Sequence, residues 1–284
     1  MNNGVDIHKN KNLLNIVCEK GYIDMVKIFL ENVIDSDVLY DPSVAACKHG
    51  HYDIVKILFK KGINKQTLDA IFMEACKNGH YDIAMFAYKK GANINAYRHI
   101  VSSAMSGKNI DIIKFLIEKI PDVHSQNYDV VTSCIEHCGI EILELLIEKG
   151  FDLKTNKKEF TNTCITYNNF YAFKYFIENG ADEYLKCKDS DIFDNPLVCS
   201  AGRGRVNFIK YLVERGADIH FDYDRAFKVA ADNNCKNVIE YLIESDFEYF
   251  FKKKYVKGIV EKCKIEKLYE KFGIEYPDED WDDY

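Results

Sequence analysis

Apolar residues along this chain gather in short runs with a helical spacing. Ile54, Val55, Ile57 and Leu58 fall at i, i+1, i+3 and i+4, the stripe of an amphipathic helix and not the alternation of a strand. A polar or aromatic residue opens each run: Asp24, Asp53, Asp82, Asp111, Glu141, Tyr171, Asn207 and Asn237, at intervals of 29, 29, 29, 30, 30, 36 and 30. A nearly constant period of this size predicts a stack of supersecondary units, each burying its apolar face against its neighbours.

Residues 41–62, DPSVAACKHGHYDIVKILFKKG, show one unit, and 74–91, EACKNGHYDIAMFAYKKG, repeat most of it. Asp41 is placed as an N-cap, with Pro42 in the first turn of a short inner helix. The small residues Ala45, Ala46 and Cys47 let neighbouring inner helices approach, and Gly50 ends the helix in a left-handed turn. An outer helix starts near Tyr52–Asp53 and ends at Lys60-Lys61-Gly62, cations at the negative end of the helix dipole. Two antiparallel helices and a turn make the unit. Cys18, Cys47 and Cys76 recur 29 residues apart, so they share one packing slot, which is the behaviour of small apolar thiols and not of a disulfide framework.

Length therefore counts units. With 47% apolar and 29% charged residues, the 284-residue chain is an ordinary folded one. A net charge of −7 and the lack of a basic stripe argue against nucleic acid as a partner. No run approaches eighteen apolar residues, and MNNGVDIHKNKN lacks the apolar core of a signal peptide. The expectation is a monomeric cytoplasmic protein that does not bind membranes.

The pattern resembles the ankyrin repeat. Asp41-Pro42 and Asn195-Pro196-Leu197 stand where that family has Thr-Pro-Leu, Gly50-His51 and Gly79-His80 match its Gly-His, and Gly91-Ala92-Asn93, Gly180-Ala181-Asp182 and Gly216-Ala217-Asp218 match the end of its unit. No copy carries the family's His after Thr-Pro-Leu. The short period puts the deficit in the connecting turn, as between Gly62 and Ala70, so most β-hairpin fingers are expected to be stunted. The longer connection through 181–194 is the exception and is expected to project. The resemblance implies an all-α, ankyrin-type solenoid of antiparallel helix pairs. Its array would span 1–246 in about eight units, followed by a degenerate capping repeat at 247–273 and an acidic tail at 274–284. The short period and the wealth of Asn, Lys, Ile and Tyr are also similar to the ankyrin proteins of giant DNA viruses of amoebae.

Catalytic signatures are missing from the sequence. Gly202-Arg203-Gly204 lacks the third glycine of a dinucleotide loop, and there is no phosphate loop, His-Glu-x-x-His pair or Gly-x-Ser-x-Gly elbow. Cys134, His137 and Cys138, within two turns of one helix, are the one candidate metal or catalytic group, and they lack a fourth ligand at a matching spacing. No cofactor is expected. The family resemblance implies a non-catalytic scaffold that binds a protein partner, a host protein in a viral setting. The residues just before the inner-helix glycine would make the contact: Lys48 and His49, Lys77 and Asn78, Glu136 and His137, Thr166 and Tyr167, Gly202 and Arg203, Asp232 and Asn233.

Overall fold

A computed structural model describes residues 11–31, 36–120, 124, 127–181, 195–263 and 267–272, and among them every regular element is helical. Helices come in pairs: α1 (Lys11–Glu19) with α2 (Ile23–Leu30), α3 (Tyr40–Lys48) with α4 (Tyr52–Gly62), and α5 (Lys65–Lys77) with α6 (Tyr81–Lys89). Then come α7 (Ile100–Gly107) with α8 (Ile110–Lys119), α9 (Asn127–His137) with α10 (Ile140–Glu148), and α11 (Lys157–Tyr167) with α12 (Phe170–Phe176). The last pairs are α13 (Pro196–Gly202) with α14 (Val206–Glu214) and α15 (Phe221–Asp232) with α16 (Lys236–Ser245). The shorter helices α17 (Phe247–Phe251), α18 (Lys254–Cys263) and α19 (Lys267–Phe272) follow.

Contacts divide the chain into two units, residues 1–152 and 153–284. In the first, the inner helices α1, α3, α5, α7 and α9 pack in succession, and α2, α4, α6 and α8 do the same outside them. In the second, α11, α13 and α15 form the inner row. Small side chains make this close stacking possible: Ala46, Cys47, Ala75, Cys76, Ala104 and Cys164 are all buried. Burial pushes the thiols of Cys18 and Cys76 up to about 12, and those of Cys47 and Cys164 upward for the same reason, so they stay protonated and act as core residues. The outer helices contribute the aliphatic side, as with Ile54, Val55 and Leu58 of α4.

The turn from inner to outer helix is nearly uniform. Three residues before each run-opening residue stand Gly21, Gly50, Gly79, Lys108, Asn168, Gly204 and Asn234, all with φ between 53° and 78°. Cys138 occupies the same slot without a left-handed φ, and Gly139 after it is extended, at φ −85° and ψ −174°.

One local expectation changes and one is met. Asp41 is not an N-cap: a 3-10 turn, Ser36–Leu39, runs directly into α3, so the helix starts at Tyr40 and Asp41 sits in its first turn. After Gly62 only Ile63 and Asn64 lie outside helix, both extended, and α5 already begins at Lys65, so no hairpin finger forms there. Asn64 caps α5 by accepting from the Thr67 amide at 2.8 Å, and the helix runs for 13 residues. Apart from Ala181, the connection expected to project lies outside the described residues, as does the acidic tail.

Candidate functional site

Where an inner helix ends, its last carbonyls have no partner within the helix. The next repeat supplies one. His51 Nε2 lies 2.8 Å from the Glu19 carbonyl oxygen and His80 Nε2 lies 3.0 Å from that of Lys48, and each donates as the Nε2–H tautomer. Asn109 Nδ2 donates to the Gly79 carbonyl at 3.1 Å, and Ser106 Oγ lies 3.1 Å from that of Lys77 and 2.7 Å from that of Ser103 in its own helix. In the second unit Arg205 reaches the carbonyls of Ile165 and Thr166, each at 3.3 Å, and the Cys235 thiol faces that of Gly202 at 3.7 Å. The ends of α1, α3, α5, α11 and α13 thus have their backbone tied to the following repeat, while the side chains there are left largely at the surface.

Those side chains are the residues singled out from the sequence. Lys48, Lys77, His137, Tyr167, Gly202 and Asp232 are the last residues of α3, α5, α9, α11, α13 and α15. His49, Asn78, Arg203 and Asn233 are the C-cap residues that follow, and Glu136 and Thr166 sit one place earlier. All are exposed except His137 and Gly202, which are half-buried. Within the first unit the structure places Lys48, His49, Lys77 and Asn78 on the ends of adjacent helices.

Their surroundings differ. Asn78 Nδ2 donates to the Glu74 carbonyl at 2.8 Å, Asn233 Nδ2 to that of Val229 at 2.9 Å, and Thr166 Oγ1 to that of Asn162 at 2.9 Å, so these three are held against their own helices. His49 stacks on His51 with ring centroids 6.2 Å apart, and His137 Nε2 stands 3.7 Å from the Glu136 carboxylate. Gly202 offers backbone only; a methyl group there would meet Val229 of the neighbouring α15, so its glycine serves close packing. The same slots also hold Glu19, Lys20, Ser106 and Gly107, which were passed over in the sequence although counting back from Asp24 and Asp111 reaches them.

The cysteine–histidine group does not assemble as a ligand set. Cys134 is buried, His137 turns to Glu136, and the Cys138 thiol rests 3.5 Å from both the carbonyl oxygen and the sulfur of Met105. A hydrogen bond with Cys134 lowers the Cys138 thiol below its usual range, against the opposing effect of burial and with help from Lys108. Among the described residues no three His, Cys, Asp or Glu side chains gather at distances suited to a metal ion. No described helix is long and apolar enough to cross a membrane.

Comparison with known proteins gives the family. No curated protein matches the chain. Among solved structures, the human ASB11 ankyrin repeat domain is 16% identical, over 81% of this chain and 96% of that one, with a TM-score of 0.37. The family model for ankyrin repeats matches in three copies, at residues 1–69, 72–157 and 161–253. Since these matches span most of the sequence, the chain belongs to the ankyrin repeat family.

Proposed function

We propose that this protein is a non-catalytic scaffold that binds a protein partner through the exposed side chains at the C-terminal ends of its inner helices. Ankyrin repeats generally mediate protein–protein interaction, which supports a protein as the ligand. The observation that carries the reading is the latch at several of these helix ends: the next repeat donates to the carbonyls of Glu19, Lys48, Gly79 and Thr166, which fixes the backbone that bears the side chains there. Pre-ordering of this kind lowers the entropy lost on binding. Lys48, His49, Lys77 and Asn78 form the strongest candidate group, and Glu136, His137, Thr166, Tyr167, Gly202, Arg203, Asp232 and Asn233 extend it. The mixed charges among these residues favour a partner with a varied surface over a polyanion.

The array is read as residues 1–246, with 247–273 as its cap. The buried, protonated thiols support a reducing compartment, the cytoplasm, and in the viral reading that of the host.

The test is affinity capture from cells with the full chain, followed by direct titration of the captured partner against a chain in which Lys48, His49, Lys77 and Asn78 are replaced by Ala. Affinity should fall by at least about tenfold, since a few central residues carry most interface energy, with no change in thermal midpoint. Unchanged affinity would remove this face from the interaction.

A further inference from the structure

The α9–α10 pair departs from the other repeats at its turn. Elsewhere the residue two places before the run-opening residue sends a side chain back to the preceding repeat, as His51, His80, Asn109, Arg205 and Cys235 do. Here that place holds Gly139, which has no side chain to send. The tie comes instead from Cys138, whose thiol lies 3.5 Å from both the carbonyl oxygen and the sulfur of Met105 in α7. Cys138 is half-buried and within reach of a small solute, while Cys134, one turn before it, is buried. The Cys138 amide donates to the Cys134 carbonyl at 2.8 Å, and the Cys134 thiol donates to the Cys138 sulfur. Four residues of helical rise set the two Cα atoms about 6 Å apart, within the roughly 4.4–6.8 Å span of a disulfide.

We propose that Cys138 and Cys134 form a peroxide-reactive dithiol whose closure to a disulfide releases the tie between α9 and α7. Cys138 is the attacking sulfur. The hydrogen bond from Cys134 and the charge of Lys108 favour its thiolate against the effect of burial, whereas burial pushes the thiols of Cys18, Cys47, Cys76 and Cys164 upward. The thiolate attacks one oxygen of hydrogen peroxide: an S–O bond forms, the O–O bond breaks, and the departing hydroxide takes up the proton that the thiol released. Water and a Cys138 sulfenic acid result. The Cys134 sulfur then attacks the sulfenic sulfur, the S–S bond forms, the S–O bond breaks, and hydroxide leaves as water with the Cys134 proton. Two thiols give up two electrons and one peroxide takes both. Closure requires movement, because Cβ atoms four residues apart on a helix stand about 5–6 Å from each other and a disulfide brings them to about 3.5–4.5 Å. Cys138 is the residue placed to move, since it follows the last residue of α9 and precedes the extended Gly139. Its shift toward Cys134 withdraws it from Met105, and the new bond consumes the S–H that tied the two repeats. A thiol reductant reverses both changes by exchange. None of these steps requires a bound partner.

Treatment of the full chain with hydrogen peroxide at neutral pH, followed by alkylation and tryptic digestion, tests the proposal. Residues 120–149 form one tryptic peptide whose only cysteines are Cys134 and Cys138. That peptide should lose two hydrogens in mass before any peptide bearing Cys18, Cys47, Cys76 or Cys164 is modified, and should regain them with dithiothreitol. Iodoacetamide should label Cys138 at least about tenfold faster than Cys76, the ratio that one pKa unit gives in thiolate fraction. Cys134→Ser should halt the reaction at a Cys138 sulfenic acid that dimedone traps. A readout on the unaltered chain covers the case of a misfolded variant: on oxidation, amide protection should fall in the last turns of α7 and α9 and return on reduction. A peptide that keeps its hydrogens while the other cysteines oxidise overturns the proposal. So does oxidation that runs to sulfinic acid or links two chains instead of closing the pair. A disulfide that forms with protection at α7 unchanged overturns the release of the tie.

Discussion

Gly79 shows how much a single missing Cβ carries in a stack of this kind. Its φ of +76° is left-handed, and an added Cβ would run into the carbonyl of Gly107 in the next repeat. Gly91 has φ +95° with no atom within 4 Å of the same construction. Gly79→Ala therefore combines backbone strain with a collision against backbone, while Gly91→Ala carries strain alone. Strain at a left-handed residue costs roughly 1–2 kcal/mol. Urea titration should show Gly91→Ala losing about that much and Gly79→Ala distinctly more; equal losses would mean that repeats do not meet at Gly79. The place of Gly79 was legible in the sequence, because it ends a recurring phrase. Its contact with Gly107 was not, since Gly107 belongs to another repeat.

The same division between local and distant causes holds for whole elements. The paired helices were legible because aliphatic spacing and a terminal glycine act within about fifteen residues. The start of α3, the added length of α5 and the left-handed opening of α15 were not. In α15, Asp222, Tyr223 and Asp224 have φ of 48°, 54° and 61°, a costly run for residues with a Cβ. The conformation brings the Asp224 carboxylate, only 3% exposed, into a network drawn from beyond its own helix. His220 Nδ1 lies 2.7 Å from Oδ1, and the Tyr255 and Tyr249 hydroxyls donate to Oδ2 at 2.6 and 3.2 Å. Burial by itself would raise the Asp224 pKa, yet hydrogen bonds from Tyr255, His220 and Tyr249 outweigh it and hold the carboxyl below its usual range. A lowered carboxyl stabilises the fold above its unfolded pKa of about 3.9, and that contribution is lost as pH falls through the lower folded value. Tyr255→Phe removes one donor and should cost about 1–3 kcal/mol at neutral pH. It should also move the acid-unfolding midpoint of this region upward, as followed by circular dichroism from pH 6 to pH 2 (roughly the carboxylate range). An unmoved midpoint would show that the bond does not help hold the carboxyl ionised. The candidate interaction residues were legible only as places in the repeat: an exposed helix end needs no particular side chain to fold, so its sequence carries no physical mark of what it binds.

At the scale of the molecule, a row of helix pairs leaves each end with an apolar side to cover, because each pair buries its face only against its neighbours. At the C-terminal end of the second unit the cover is aromatic. Phe250 stacks on Phe227 of α15 at 4.8 Å and also faces the His220 ring at 5.2 Å, while Val256, Val260 and Cys263 of α18 are buried. Asp246 joins this end to α15: Oδ1 caps α17 by accepting the Tyr249 amide at 3.2 Å, and Oδ2 lies 3.3 Å from Nε2 of His220, the residue before α15. Deleting 247–284 removes the ring that covers Phe227 and two of the donors to Asp224 in one step. Loss of a buried Phe alone costs about 3–5 kcal/mol, and a buried carboxylate stripped of donors adds to it. The shortened chain should unfold at clearly lower urea and should aggregate. In hydrogen exchange, protection should fall most in α15 and α16 and least in α11, the profile expected when stability passes only between neighbouring repeats. A truncated chain that stays soluble with an unchanged urea midpoint would show that residues 247–273 are not the cap. An even loss of protection from α11 to α16 would show that the unit opens as one body.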